Sequence, residues 1–238
     1  MKLSFNPIKV LGKTLLVVGL TLALGGASLF AQTIYTGTLA NLAATGGSLS
    51  IGDKTFSGFR YQDSGLTAFD PTAITVTASE SGGVDYLTWS GTISLVSGGV
   101  ATADLLLNYI VTANPGQINM IDQSYTLGSV NNGSLAVDET VSTSSGGVPI
   151  VASSHLDINT PSQTQGPTLN VNPAQSVLYV TKDISFAVIP PVGAAGNVTI
   201  TEVEQSFHQV PEPGTMLLGS LGGGLLLLLR SRRQIRRN

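Results

Sequence analysis

Through the middle of this chain, apolar residues recur at alternate positions in short runs, and glycine pairs separate the runs. No stretch shows the sustained stripe of an amphipathic helix. Ala103, Leu105, Leu107, Tyr109 and Val111 alternate with Asp104, Leu106, Asn108 and Ile110, which predicts a strand with both faces partly covered. Ile74 and Val76 alternate with Thr75 and Thr77, which predicts a half-exposed strand. Residues 84–90 carry Tyr86, Leu87 and the sole tryptophan, Trp89, and residues 198–210 read as a further strand. The apolar run 176–189 is interrupted by Lys182 and Asp183, so it reads as strand, turn or bulge, strand. Asn131-Asn132-Gly133 lies between the strand-like runs 124–130 and 134–141; Asn-Gly accepts positive φ at both central turn positions and predicts a hairpin loop. Residues 161–173, rich in Gln, Asn, Thr and Pro, read as a loop. The pattern predicts one all-β domain, a β-sandwich or jelly-roll-like fold. The glycine pairs keep no fixed spacing, which argues against a solenoid.

Both ends depart from this texture. Lys2, Lys9 and Lys13 form a basic start, 14–24 is apolar, and Gly25, Gly26, Ala27 and Ser28 are small. That order predicts a secretory signal peptide over 1–31, cut between Ala31 and Gln32, with Ala27 as the competing site. Its partners would be the secretion translocon and signal peptidase. At the other end, Pro211, Glu212 and Pro213 precede an uncharged segment rich in Leu and Gly, and then Arg230, Arg232, Arg233, Arg236 and Arg237. The prolines fix φ and remove backbone donors, so 210–213 is biased to an extended, accessible form that a processing enzyme can grip. Residues 214–229 predict a short transmembrane helix. Its fifteen residues 215–229 span about 22 Å as a helix, against a hydrocarbon core of about 30 Å, so the segment suits a transient anchor. The arginines predict a cytoplasmic tail over 230–238.

Motif, apolar segment and arginine cluster, in that order, resemble the PEP-CTERM sorting signal of Gram-negative bacteria. The resemblance covers 210–238. It implies recognition by an exosortase, a membrane-embedded transpeptidase-like enzyme, and a setting of exopolysaccharide production, with exopolysaccharide as a further partner. The segments 137–141 (VDETV), 178–184 (LYVTKDI) and 204–210 (EQSFHQV) resemble a recurrent type of PEP-CTERM protein body. That resemblance implies an all-β secreted body and carries over no catalytic residue.

Between the ends, residues 32–209 hold three basic residues, Lys54, Arg60 and Lys182, against thirteen acidic ones, a net charge of −10. Such a domain repels phosphate backbones, so nucleic acid is not an expected partner. There is no cysteine, which excludes disulfides, thiolate metal sites and cysteine nucleophiles. A secreted domain of this length relies on its core, where it can bury about 70% of its unfolded surface.

Chemistry-bearing groups are few. His155 lies two residues before Asp157, a weak start for a Ser/His/Asp set, and no G-x-S-x-G elbow is present. His208 lies just before the sorting motif, a poor place for an active site. Asp138 with Glu139, and Glu202 with Glu204, are candidate carboxylate pairs for glycoside hydrolysis. Asp157 and Asn159 offer oxygen ligands, but no EF-hand-like loop follows. Tyr61, Tyr86, Trp89, Tyr109, Tyr125 and Tyr179 are scattered and read mostly as core or edge residues. The expectation is a non-enzymatic protein with no catalytic residue, no metal and no cofactor. It is exported, held briefly in the inner membrane with its tail inside, and then delivered to the cell surface or extracellular matrix, in association with exopolysaccharide or biofilm. The alternative is a carbohydrate-binding β-sandwich module, and the third reading is a polysaccharide hydrolase.

Overall fold

A computed structural model describes residues 35–160 and 166–209. The strands are β1 (Tyr35–Thr38), β2 (Leu49–Ile51), β3 (Lys54–Ser64), β4 (Ala68–Phe69), β5 (Thr75–Ser81), β6 (Val84–Ser97), β7 (Ala101–Ala113), β8 (Ile118–Asn131), β9 (Gly133–Ser142), β10 (Ile150–Ile158), β11 (Leu169–Gln175), β12 (Val177–Val188) and β13 (Gly196–Gln209). Two antiparallel sheets result. The first runs β1-β5-β6-β13-β8-β11, with β4 also paired to β6, and the second runs β10-β9-β12-β7-β3-β2. Their inner faces enclose one apolar core. The fold is a β-sandwich, as the alternation predicts.

Parity explains which side chains meet. In β7, Ala103, Leu105, Leu107, Tyr109 and Val111 are all buried, while their neighbours are half-buried or exposed. Val76 and Ala78 of β5 and Leu87 and Trp89 of β6 line the opposite wall. Trp89, Tyr109, Phe56 and Phe207 form an aromatic centre, with the Trp89 and Tyr109 rings 5.3 Å apart and the Phe56 and Phe207 rings 5.1 Å apart. Each such ring removes on the order of 150–250 Å² from water, so this cluster dominates the core.

A short helix, α1 (Leu39–Thr45), links β1 of the first sheet to β2 of the second and buries Leu39 and Leu42. Thr38 caps its start by accepting from the Asn41 N–H, and Gly46 ends it at φ +64°, a left-handed conformation that suits glycine. The sequence pattern does not reveal so short a helix.

Three expectations are corrected. First, β12 is continuous through Lys182 and Asp183, with unbroken pairing to β7 and β9. The two residues mark no turn: Lys182 points into the core and Asp183 outward, so the polar break in the apolar run is a buried charge. Second, Asn131-Asn132-Gly133 is not a hairpin. Asn132 does take positive φ, at 50°. However, β8 pairs with β13 and β11, and β9 pairs with β12 and β10, so the chain crosses from one sheet to the other here. Local turn chemistry sets the bend, whereas cross-sheet packing sets the partner. Third, the 161–173 segment is not all loop, because β11 begins at Leu169 and pairs with β8.

Candidate functional site

Ala31, Gln32, Pro211, Glu212, Pro213, Arg230, Arg232, Arg233, Arg236 and Arg237, the residues assigned to cleavage, sorting and topology, lie outside the described residues. The same holds for the signal peptide and the transmembrane segment. Among the described residues no helix is long and apolar enough to cross a membrane. What is described is the strand that leads to the motif. β13 is flanked by β6 and β8 along its length and ends at Gln209. Gln209 donates to Asp53, which accepts from Lys54 at 3.0 Å, and Lys54 also binds Asp85 at 2.7 Å. Lys54 is buried in this cluster, so Gln209, two residues before Pro211, is tied to a charged clamp joining β3 and β6. Burial raises the Asp85 carboxyl, against the pull of Lys54.

The candidate carboxylate pairs do not form a cleft. Asp138 faces outward from β9 while Glu139 is fully buried, because adjacent strand residues point to opposite faces. Glu202 and Glu204 do share the outer face of the first sheet. Each sits among hydroxyls: Ser90 and Thr126 for Glu202, Thr88 and Ser124 for Glu204, at 3.3–3.5 Å. Glu204, Ser206 and Tyr86 line a groove of about 320 Å³ on this face, which the 166–168 segment borders at Gly166.

Neither histidine has the wiring of a nucleophile's base. His155 of β10 binds Asp138 through Nδ1 at 2.7 Å and Asp157 through Nε2 at 3.3 Å, so both ring nitrogens face carboxylates. The hydrogen bond and charge of Asp138, with Asp157 behind them, raise His155 above its ordinary value. Asp157 is thereby engaged by His155. Among the described residues no group of three or more His, Asp or Glu is placed to hold a metal. His208 meets Ser206 at 3.2 Å and Asp122 at 3.0 Å, but through the same atom, Nε2. A Ser-His-Asp relay needs the two partners on different nitrogens.

A second groove, about 380 Å³, lies on the outer face of the second sheet. Arg60, Asn108, Thr181 and the half-buried ring of Tyr179 face it, and Ser145-Gly146-Gly147 borders it. Asn108 accepts from Thr181 at 2.7 Å. Arg60 is the only Lys or Arg among the described residues outside an ion pair, since Lys54 and Lys182 are both engaged. The glycine Gly58, at φ +63°, forms the bulge in β3 that precedes Arg60. Sequence reading did not single out Arg60, because only the strand register brings it beside Asn108 and Thr181.

The largest surprise is inside the core. Lys182 of β12 and Glu139 of β9 are directly paired in the second sheet; Gln205 of β13 and Gln123 of β8 are directly paired in the first. These two pairs face each other across the sandwich. Lys182 Nζ donates to Glu139 Oε2 at 3.0 Å, Gln123 Oε1 at 2.7 Å and Tyr125 Oη at 3.2 Å, which uses all three of its protons. The Tyr125 hydroxyl donates to Gln123 Oε1 at 2.6 Å. Gln205 donates to Glu139, and Tyr109 donates to Gln205. Burial depresses Lys182, but the charge of Glu139 and the contact with Tyr125 more than offset it, so Lys182 sits above its ordinary value. Burial, then Glu139, pushes the Tyr109 hydroxyl well up. The segments 137–141, 178–184 and 204–210 each supply one member: Glu139, Lys182 and Gln205.

Fold and site together define an antiparallel β-sandwich protein with polar outer faces and a hydrogen-bonded ionic core. Residues 209–233 match the PEP-CTERM protein-sorting motif, so this β-sandwich carries a PEP-CTERM sorting signal directly after its last strand. The match includes Pro211, Glu212, Pro213 and the first three of the five arginines. Such a motif implies an exported protein that an exosortase processes and sorts to the cell surface. Among solved structures, the fold is similar to a carbohydrate-binding module of the β-sandwich superfamily studied for its promiscuous specificity, at 14% identity and TM-score 0.33 over 65% of this chain and 57% of that one. It is also similar to TmCBM61, solved with β-1,4-galactotriose, at 10% identity and TM-score 0.26 over 61% of this chain and 86% of that one. A third likeness is to a family two carbohydrate esterase from Cellvibrio japonicus, at 14% identity and TM-score 0.26 over 76% of this chain and 36% of that one. No curated protein sequence matches the chain.

Proposed function

We propose that this protein is a non-enzymatic β-sandwich of the envelope or extracellular matrix, delivered there by exosortase processing and working in association with exopolysaccharide or biofilm. The observation that carries the reading is the sorting motif, which begins at Gln209, the last residue of β13. A strand paired on both sides gives the processing enzyme a fixed point from which the motif extends. Glu212 is the only acid after Glu204, so its carboxylate is the recognition handle between two prolines. The absence of an enzymatic role is supported by the engagement of His155 with two carboxylates and by the split of Asp138 from Glu139. The double variant Pro211→Ala/Glu212→Ala tests the sorting role in a host with the matching exosortase. The variant should fold, escape cleavage and stay in the membrane fraction. Trimming and release like wild type would make the tail a plain anchor.

A second reading is favoured by the groove at Arg60: carbohydrate binding. A half-buried aromatic ring beside an unpaired guanidinium and an amide suits a sugar ring with hydroxyl or acidic substituents. Glycan-array binding that Arg60→Ala and Tyr179→Ala both abolish supports it; no binding to any glycan removes it.

A further inference from the structure

Lys182, Gln123, Glu139 and Tyr125 bring an amine, an amide carbonyl, a carboxylate and a hydroxyl together in the buried core. Lys182 and Glu139 are wholly buried, and Tyr125 and Gln123 are buried to within a few per cent. The amine is 2.7 Å from the Gln123 carbonyl oxygen, and that oxygen also accepts from Tyr125 at 2.6 Å. Glu139 touches the same amine at 3.0 Å. The Gln123 nitrogen points the other way, donating to Ser154 at 2.8 Å. The two Oε1 donors and one Nε2 acceptor fix this orientation of the amide, because the flipped amide would face donors with donors.

We propose that this is an autocatalytic cross-linking site, in which Lys182 Nζ bonds to Gln123 Cδ and ammonia leaves. Lys182 first passes a proton to Glu139. The transfer stays within the pair; it relieves the desolvation of two buried charges and gives up the attraction that holds Lys182 above its ordinary value. The neutral amine attacks Cδ, and the carbonyl electron pair moves to Oε1, where the Tyr125 hydroxyl donates to the developing charge as an oxyanion hole does. The Ser154 hydroxyl, which accepts from Nε2 at 2.8 Å and stands opposite Glu139 in the β10–β9 pairing, gives its proton to the departing nitrogen and is reprotonated by Glu139, which then takes the second proton from Nζ. The C–Nε2 bond breaks as the carbonyl re-forms. The released ammonia takes the proton left on Glu139 and departs as ammonium. One ammonium side chain and one carboxamide become one secondary amide and one ammonium ion, with no oxidant, metal or co-reactant. Reacting groups held in contact by a rigid core gain the proximity advantage of an intramolecular reaction.

The surroundings suit the step. Gln123 lines the outer groove at Gly166, so the leaving nitrogen lies beside an exit to solvent. A Cβ at Gly166 would fall 2.6 Å from Gln123 Nε2, so only glycine lets the 166–168 segment close over the amide. The new bond would join β8 in the first sheet to β12 in the second, 59 residues apart in sequence. It would tie the sheets as a disulfide does in other sandwiches, in a chain that has no cysteine.

The folded, full-length protein should be one ammonia lighter than its sequence mass. After denaturation, trypsin should fail to cut after Lys182, while Lys54 and Arg60 are cut normally. Glu139→Gln, shown to be folded by circular dichroism, should regain the full mass and the cut at Lys182. Lys182→Arg should also have its full mass and be cut at position 182. A folded wild-type chain with full sequence mass and normal cleavage after Lys182 overturns the proposal, and that measurement needs no variant. A folded Glu139→Gln chain that still loses ammonia overturns the mechanism through Glu139.

Discussion

Lys182 and Glu139 stand opposite each other on neighbouring strands, Nζ to Oε2 3.0 Å, with neither side chain reaching solvent. Burying two charges costs several kcal/mol per ion unless geometry and further hydrogen bonds compensate. Here Gln123, Gln205 and Tyr125 supply those bonds. The pair also selects register. A one-residue slip of β12 would turn Lys182 to solvent and leave Glu139 buried alone.

Removing one partner should therefore be far worse than removing both. Glu139→Leu should cost about 3–5 kcal/mol, because it strands a buried ammonium. The double variant Glu139→Leu/Lys182→Met should be more stable than Glu139→Leu, because neither chain can form the cross-link and only the single variant buries an unpaired ammonium. Urea unfolding monitored by Trp89 fluorescence measures both. A double variant as unstable as the single one would show that the pair is not what the single variant disrupts.

Tyr109→Phe removes the donor that serves Gln205 Oε1 while keeping the ring among Phe56, Trp89 and Phe207. The expected cost is about 1–3 kcal/mol, the penalty of a buried acceptor left unsatisfied. Chemical denaturation should show a lower midpoint with an unchanged slope. An unchanged midpoint would mean that the hydroxyl contributes nothing.

The sheet-crossing corner should depend on Gly133. A Cβ there would fall 2.4 Å from a Val198 methyl and 2.8 Å from the Ala187 carbonyl oxygen. Backbone cannot yield as a side-chain tip does, so Gly133→Ala should cost about 1–3 kcal/mol. Gly98→Ala, with open space around it, should stay within about 0.5 kcal/mol of wild type. Thermal unfolding of the two variants side by side distinguishes them.

His155 predicts a pH dependence with a definite sign. Its folded value is raised above the ordinary one, by Asp138 first and then Asp157. Its contribution is therefore fully present below about pH 6.5 and is lost as pH rises through the raised folded value. The stability difference between wild type and His155→Gln should be largest in mild acid and should shrink toward alkaline pH. A difference that grows with pH would contradict the carboxylate contacts. The group is exposed, so the effect should be small and should weaken with salt.

The sequence by itself determined the fold class and the address. Alternation such as Leu105, Leu107, Tyr109 and Val111 against Asp104 and Asn108 is a local signal, because strand geometry sends successive side chains to opposite faces whatever the partner strand. The sorting motif is likewise linear, read as an order of residues. Only the tertiary structure decided what those strands face. Asn132 and Gly133 announce a bend, but packing between sheets, not turn chemistry, sent β9 away from β8. Lys182 in an apolar run looks like a break until Glu139, Gln123, Gln205 and Tyr125 arrive from positions 43 to 59 residues away along the chain or from the facing sheet. Hydrogen bonds of that kind depend on register between distant strands, and register is a property of the assembled core. The same reason hid the Arg60 groove and separated Asp138 from Glu139, neighbours in sequence that lie on opposite sides of one sheet.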